Sequence, residues 1–195
     1  MANKKIVMKN TLFGDFLTDD TLSKYEPLIN LFEAKVDRYT IVLKNNYNEI
    51  FNHTIFSEKE YNNTVMLLLD NSNNCVVAYC AFNCSNVKSS KGKLFPAIEI
   101  VTFAMNKDYC GETYVDDGNN YVKCSDYALE FYINYFKFVQ KNYIYACIIR
   151  LHSDSNSHVR EFYERNHFFQ SPLGYNWLRR EGESKEMYFF RFLDS

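Results

Sequence analysis

Few side chains in this sequence combine reactive chemistry with a setting that could use it. Glu99 is the single acid in the run Ala97-Ile-Glu-Ile-Val-Thr-Phe-Ala-Met105, which is otherwise apolar or β-branched and holds no Gly or Pro. It reads as a strand-end residue or as a buried carboxylate, and perturbed carboxylates of the second kind are where general bases are found. Tyr163 lies on a short helical pattern and reads as a ring packed on a sheet with its hydroxyl at the rim. Cys124 stands just before a helix start, where an exposed thiol has a lowered pKa, but nucleophilic use needs a His within reach. His152 and His158 flank a polar loop without a matching nucleophile motif, which disfavours a hydrolase dyad. No metal is expected: there is no C-x-x-C pair, and Cys80-x-x-x-Cys84 on a strand separates its thiols too far for easy chelation.

These residues need elements to hold them. The apolar run from Ala97 to Met105 predicts a strand. Ser125 is a good N-cap for a helix with Asp126 in its first turn, where a negative charge suits the helix dipole. The polar positions Asp126, Glu130, Asn134, Lys137 and Lys141 form one narrow stripe, so the rest of that helix must be covered. Ile144-Tyr-Ala-Cys-Ile-Ile-Arg-Leu151 is a continuous apolar run, as in a parallel strand buried on both faces. A second helix is expected from Ser157 to Asn166, with Val159, Phe162, Tyr163 and Asn166 on one side. On its other side Arg160 and Glu164, like Glu161 and Arg165, are spaced to pair. Asn166 and His167 end it before a strand beginning at Phe168-Phe169. Strand, helix, strand and helix make one βαβ crossover, with a ligand-sized loop at its first βα junction.

The run Asn156-x-x-Val159-x-x-Phe162-Tyr163-x-x-x-His167-Phe168 resembles the carboxyl-terminal motif of the GCN5-related N-acetyltransferases, N-x-x-A-x-x-x-Y closing in Gly-Phe. Val159 stands for the family's Ala and His167 for its Gly. Upstream, Met105-Asn-Lys-Asp-Tyr-Cys-Gly111 is similar to the strand end where that family opens its acetyl-CoA loop. The likeness covers roughly Thr64 onward. In that loop the family carries Gln or Arg, two residues, Gly, one residue, then Gly or Ala, so that backbone N–H groups at a helix start can hold a pyrophosphate. Two alignments exist. With Cys110 in the Arg place, Thr113 and Val115 fall where glycines belong. With Lys123-x-x-Asp126-x-Ala128, Lys stands for Arg, Asp for the first Gly and Ala for the second; this is preferred, and it makes 106–122 an insertion. A carboxylate beside a pyrophosphate is unfavourable unless it turns outward or caps the helix, so Asp126 is the awkward residue.

The resemblance implies a single α/β domain over residues 1–195, a mostly antiparallel, mixed sheet with one parallel βαβ crossover and helices on both faces. Residues 97–168 would be the coenzyme core. It implies transfer of an acetyl group from acetyl-CoA, as co-substrate, to a primary amine by direct attack in a ternary complex. Glu99 would supply the general base, directly or through water, and Tyr163 the acid toward the leaving thiolate. Asn156 would bind the coenzyme arm, Phe103, Ala104 and Met105 would present backbone to the pantetheine chain, and Lys123, Cys124, Ser125, Tyr127 and Ala128 would form the phosphate end. Two other readings stand beside this one: a non-catalytic regulatory or interaction module that has lost the coenzyme, and transfer of a longer acyl chain. The acceptor, small molecule or peptide, is not identified.

The remaining chain fits such a fold. Ile6-Val-Met8 is a candidate strand, Thr21 to Asp37 a helix with Pro27 in its first turns, and Tyr39 to about Phe56 a weaker, Asn-rich helix; residues 1–60 would border the acceptor. Thr64 to Asp70 and Cys75 to Phe82 predict a hairpin, with a polar tip over Ser85 to Lys93 before the next strand. Asn176 to Leu178 and Glu186 to Phe192 predict a closing hairpin. The 195 residues are 47% hydrophobic, with mean hydropathy −0.37, which suits one globular domain. A net charge of −2 gives no field to steer nucleic acid or an anionic membrane, and neither is expected as a partner. The 16 Tyr and 17 Phe are spread without basic clusters, favouring core packing over base stacking; their surplus is compatible with a homodimer. With no signal peptide legible, the six cysteines are expected as free thiols in a cytoplasmic protein.

Overall fold

The structure, a computed structural model, describes residues 6–8, 11–35, 43, 63–88, 91–115, 120–153, 157–170 and 187–193. Its strands are β1 (Ile6–Met8), β2 (Leu12–Leu17), β3 (Thr64–Asp70), β4 (Cys75–Lys88), β5 (Leu94–Met105), β6 (Thr113–Val115), β7 (Tyr121–Lys123), β8 (Ile148–Ser153), β9 (Phe169–Gln170) and β10 (Met187–Phe192). The described helices are α1 (Asp19–Leu31), α2 (Cys124–Asn142) and α3 (Ser157–Arg165), with a 3-10 turn at Lys107–Tyr109. One sheet has the order β2-β3-β4-β5-β8-β10-β9 and a second the order β1-β6-β7. β5 and β8 are parallel, whereas β2–β3, β3–β4, β8–β10 and β9–β10 are antiparallel. This is the mixed, mostly antiparallel sheet with a βαβ crossover through α2. The chain divides into two compact units, Met1–Phe82 with Thr102–Leu129, and Asn83–Val101 with Glu130–Ser195.

In the first unit, β3 carries five apolar residues in succession between β2 and β4, and everything from Val65 to Asp70 is buried. A strand covered on both faces needs no alternation. α1 begins at Asp19 because Thr18 and Thr21 form a reciprocal capping box. The helix therefore starts earlier than Thr21 and places Pro27 within it. It stops at Leu31 rather than Asp37: Ala34 bridges Asn106, and the Glu33 carbonyl accepts the Lys107 N–H at 2.7 Å. Phe32 packs edge-on against Tyr79 at 5.5 Å in a core shared with Ile29, Val65 and Leu67. Burying each such side chain contributes roughly 1.5–3 kcal/mol. The second predicted helix lies outside the described residues, save Leu43, which is helical and buried.

The β3–β4 turn is held by Asp70, which accepts from the Ser72 amide at 2.9 Å, the Ser72 hydroxyl at 2.6 Å and Asn73 Nδ2 at 2.6 Å. Asn74 takes φ 47°, a left-handed conformation that Asn tolerates. The segment 106–122, expected as an insertion, is described over 106–115 and 120–122. Asn106 anchors it to β4 through the Val76 and Val77 carbonyls, and β6 and β7 then pair with each other and with β1.

In the second unit, β8 begins at Ile148, later than the apolar run from Ile144. Tyr143 and Ile144 still donate to the Val139 carbonyl at the exit of α2, and Tyr145 is 90% exposed. β4 in turn runs on to Lys88, through residues whose polarity had suggested a hairpin tip. α3 ends as its residues foretell. His167 takes φ 63°, its N–H reaches the Glu164 carbonyl at 3.1 Å, and the Phe168 N–H reaches the Tyr163 carbonyl at 3.0 Å, a Schellman closure. The first strand of the expected closing hairpin, 176–178, lies outside the described residues; β10 is present and pairs with β8 and β9. Among the described residues, no helix is long and apolar enough to cross a membrane.

Candidate functional site

Glu99 sits within β5, directly opposite Arg150 of β8. Side chains of paired residues share a sheet face, and residues two apart repeat it. Glu99, Arg150 and His152 therefore project together, with Tyr188 of β10 opposite His152. Glu99 divides its two oxygens. Oε2 accepts from Arg150 Nη2 at 2.5 Å, and Oε1 lies 3.3 Å from His152 Nε2. The His152 ring rests on Tyr188 with centroids 4.3 Å apart, and Arg150 also makes a long contact of 3.5 Å to the Asn86 carbonyl. Burial works against the Glu99 carboxylate, but the bonds from His152 and Arg150 and the Arg150 charge outweigh it and hold the group at about 2. Its side chain is 18% exposed, against 36% for His152.

Tyr163 belongs to the opposite face. Its ring meets Phe189 at 5.3 Å, Phe168 at 5.6 Å and Phe162 at 5.0 Å, and the residue is 8% exposed. Phe189 pairs with Leu151 and so alternates with Arg150 and Glu99. Arg191 shares the Phe189 face, where it is buried and bonds Glu130 of α2 at 2.8 Å and the Asn166 carbonyl at 3.1 Å. The structure thus groups Glu99 with Arg150 and His152, and sets Tyr163 on the helix-covered side of the same sheet. The parallel pairing ends at Ile100 with Leu151, although β5 continues to Met105 and β8 to Ser153.

The phosphate-end candidates lie in the first unit. α2 begins at Cys124, so Ser125 is inside the helix rather than its cap, and Lys123 closes β7 immediately before it. The cause is the strand: β7 pairs with β6 up to Lys123, and the Cys124 N–H donates to the Glu112 carbonyl at 3.0 Å. Lys123 is exposed, Ser125, Asp126 and Tyr127 are partly so, and Cys124 and Ala128 are buried. Tyr127 stacks on Tyr114 at 3.9 Å. On β5, Phe103 is partly exposed while Ala104 and Met105 are buried. Asn156 lies outside the described residues. A helix start with a lysine beside it suits an anion, while Asp126 in the first turn opposes one. All six cysteines are free. Among the described residues, no group of three or more His, Cys, Asp or Glu is placed to hold a metal.

His152 is the participant that sequence reasoning set aside. It was readable only as one of two histidines beside a polar loop, because the register that brings it to Glu99 is a long-range property. The available signal was alternation, which puts 150 and 152 on one face.

No family model and no curated protein matches the chain. Solved structures do match. AtaTR bound with acetyl-CoA is 15% identical, with 95% of each chain covered and a TM-score of 0.63. AtaT complexed with acetyl-methionyl-tRNAfMet is 17% identical, covering 92% of this chain and 94% of that one, with a TM-score of 0.61. A chimera of the spermidine N-acetyltransferase SpeG from Vibrio cholerae and hSSAT is 10% identical, covering 94% and 96%, with a TM-score of 0.52. The fold is that of the GCN5-related N-acetyltransferases.

Proposed function

We propose that the chain is an acetyl-CoA-dependent N-acetyltransferase that moves an acetyl group to a primary amine. The observation that carries the reading is the Glu99–Arg150–His152 cluster on the parallel pair β5–β8, in a chain of acetyltransferase fold. Ammonium deprotonation requires a proton acceptor, and this cluster supplies one. Tyr163 is assigned to protonate the departing thiolate.

Acetyl-CoA supplies the acetyl group as a thioester. Lys123 and the first-turn amides of Ser125 and Tyr127 would hold its phosphates. The ends of β5 at Phe103, Ala104 and Met105 would face its pantetheine chain, and Asn156 its arm. Cys124 and Ala128 would serve by packing the helix start. The whole chain, 1–195, acts as one domain in this reading, in the cytoplasm and without a metal. The two other readings remain distinct: a module without coenzyme would show no binding, and a longer acyl preference would show tighter binding of longer thioesters.

The deciding experiment is calorimetric titration of acetyl-CoA into the protein and its Lys123→Ala variant, followed by thiol release with spermidine and with methionyl-tRNA as acceptor amines, the second of which would set aside the expectation of no nucleic-acid partner. Binding that weakens about tenfold in the variant, with thiol release from either amine, is expected. No binding at millimolar acetyl-CoA would end the enzyme reading.

A further inference from the structure

We propose that Tyr121 is the stacking platform for the adenine of acetyl-CoA, with Lys123 beside it taking phosphates of the same nucleotide. The β6–β7 ribbon would thus hold the end of the coenzyme that does not react. The inference rests on the acetyltransferase reading and deepens it by naming the residue that recognises the base.

β6 and β7 pair antiparallel, Val115 with Tyr121, Tyr114 with Val122 and Thr113 with Lys123. Side chains of paired residues share a face, and residues two apart repeat it. Thr113, Val115, Tyr121 and Lys123 therefore form one face of the ribbon, and Tyr114 and Val122 the other. Burial follows that division. Tyr121 is 72% exposed and Lys123 is exposed, whereas Tyr114 is fully buried. One exposed ring is ordinary on any surface; what singles out Tyr121 is the cation on its own face.

The ribbon is fixed from behind. The Tyr114 ring stacks on Tyr127 of α2 with centroids 3.9 Å apart and planes at 21°. The Cys124 N–H donates to the Glu112 carbonyl at 3.0 Å, and β6 pairs with β1 from Ile6 to Met8. Tyr121 and Lys123 thus stand on backbone already held against the start of α2, which lessens the freedom lost when a ligand binds.

The chemistry of that face matches a nucleotide. Positions two apart on a strand lie about 7 Å from each other. In the coenzyme one ribose separates the adenine from its phosphates, so a ring and an ammonium at that separation can meet both together. A tyrosine face stacks on a base without reading its edge, and a lysine meets phosphate as a point charge. Tyr121 belongs to the segment 106–122 that the resemblance makes an insertion, so this platform is the chain's own addition to the loop.

The test is calorimetric titration of acetyl-CoA, and of its adenosine bisphosphate fragment alone, into the wild-type protein, Tyr121→Ala and Tyr121→Phe. Because the ring is exposed, its removal leaves the core untouched. Tyr121→Ala is expected to weaken acetyl-CoA about tenfold and the fragment by the same factor, while Tyr121→Phe changes either by less than about twofold. The fragment should also displace acetyl-CoA from the wild-type protein. Unchanged acetyl-CoA affinity in Tyr121→Ala, or a loss in Tyr121→Phe as large as that in Tyr121→Ala, overturns the inference and leaves the acetyltransferase reading intact. A fragment that fails to displace acetyl-CoA, or that binds Tyr121→Ala as well as the wild type, does the same. No binding of acetyl-CoA to the wild-type protein at millimolar concentration overturns the reading and the inference together.

Discussion

Tyr163 and Phe168 are tied twice, by the Phe168 N–H bond to the Tyr163 carbonyl at 3.0 Å and by their rings at 5.6 Å. The residue proposed as the acid is thus also the apolar contact that accompanies a Schellman helix end. Its two duties are separable. Tyr163→Phe keeps the ring contacts and is expected to leave the urea midpoint almost unchanged while lowering thiol release roughly 100-fold. Tyr163→Ala should cost about 3–5 kcal/mol by the same denaturation measurement. An unaltered rate in Tyr163→Phe would remove the acid assignment.

The same helix end holds a second prediction. His167 adopts φ 63° where the motif it resembles has Gly. A side chain in that conformation is strained, while Gly loses more freedom on folding, so His167→Gly should gain about 0.5–1 kcal/mol. Equal or lower stability by urea unfolding would show that the His167 side chain makes a compensating contact.

Asp126 sets two effects against each other. A negative charge in the first turn of α2 steadies the helix by about 0.3–1 kcal/mol, yet it repels a phosphate bound there. Asp126→Asn should therefore lower the melting temperature slightly and tighten acetyl-CoA binding several-fold in calorimetry. Weaker binding would move the phosphate site elsewhere.

Arg191 is buried on the covered sheet face, while its partner Glu130 has a side chain 41% exposed. Removing the acid leaves a buried cation with the Asn166 carbonyl in place of a counter-charge, whereas removing the cation leaves an acid that can turn to water. Glu130→Ala should cost about 1–3 kcal/mol, more than Arg191→Met. The reverse order in guanidinium unfolding would sink this account.

Asp70 carries a pH dependence. Burial disfavours its charge, but bonds from Ser72, Asn73 and Tyr109 outweigh that and bring it from 3.8 to about 2. Because the folded value is the lower one, its contribution is complete above 3.8 and fades as pH falls toward 2. Tyr109→Phe removes a 2.7 Å bond and should cost about 1.5–3 kcal/mol at neutral pH, with the deficit shrinking in acid. Urea unfolding at pH 7 and near pH 3 checks both.

Much of α3 and of β5 was readable from local pattern. The α3 motif carried its own stop at Asn166-His167, and the apolar run from Ala97 to Met105 lies within β5. Misses arose where long-range bonds overrode local signals. Asp15 and Gly14 disguised β2, which exists because β3 offers a partner for every residue from Leu12 to Leu17. Ser125 looked like a cap, yet β7 runs directly into α2. Within the site, Glu99 stood out as an acid among apolar neighbours. His152 did not, since only the β5–β8 register brings it there.

The pairing of β1 with β6 is parallel, Ile6 meeting Thr113. During synthesis β1 must therefore wait for this pairing until β6 has left the ribosome. The entropy of closing so long a loop grows only slowly with its length, so the cost falls chiefly on time rather than on final stability. Three short strands settling late would make this small sheet the region where hydrogen exchange first reports incomplete folding.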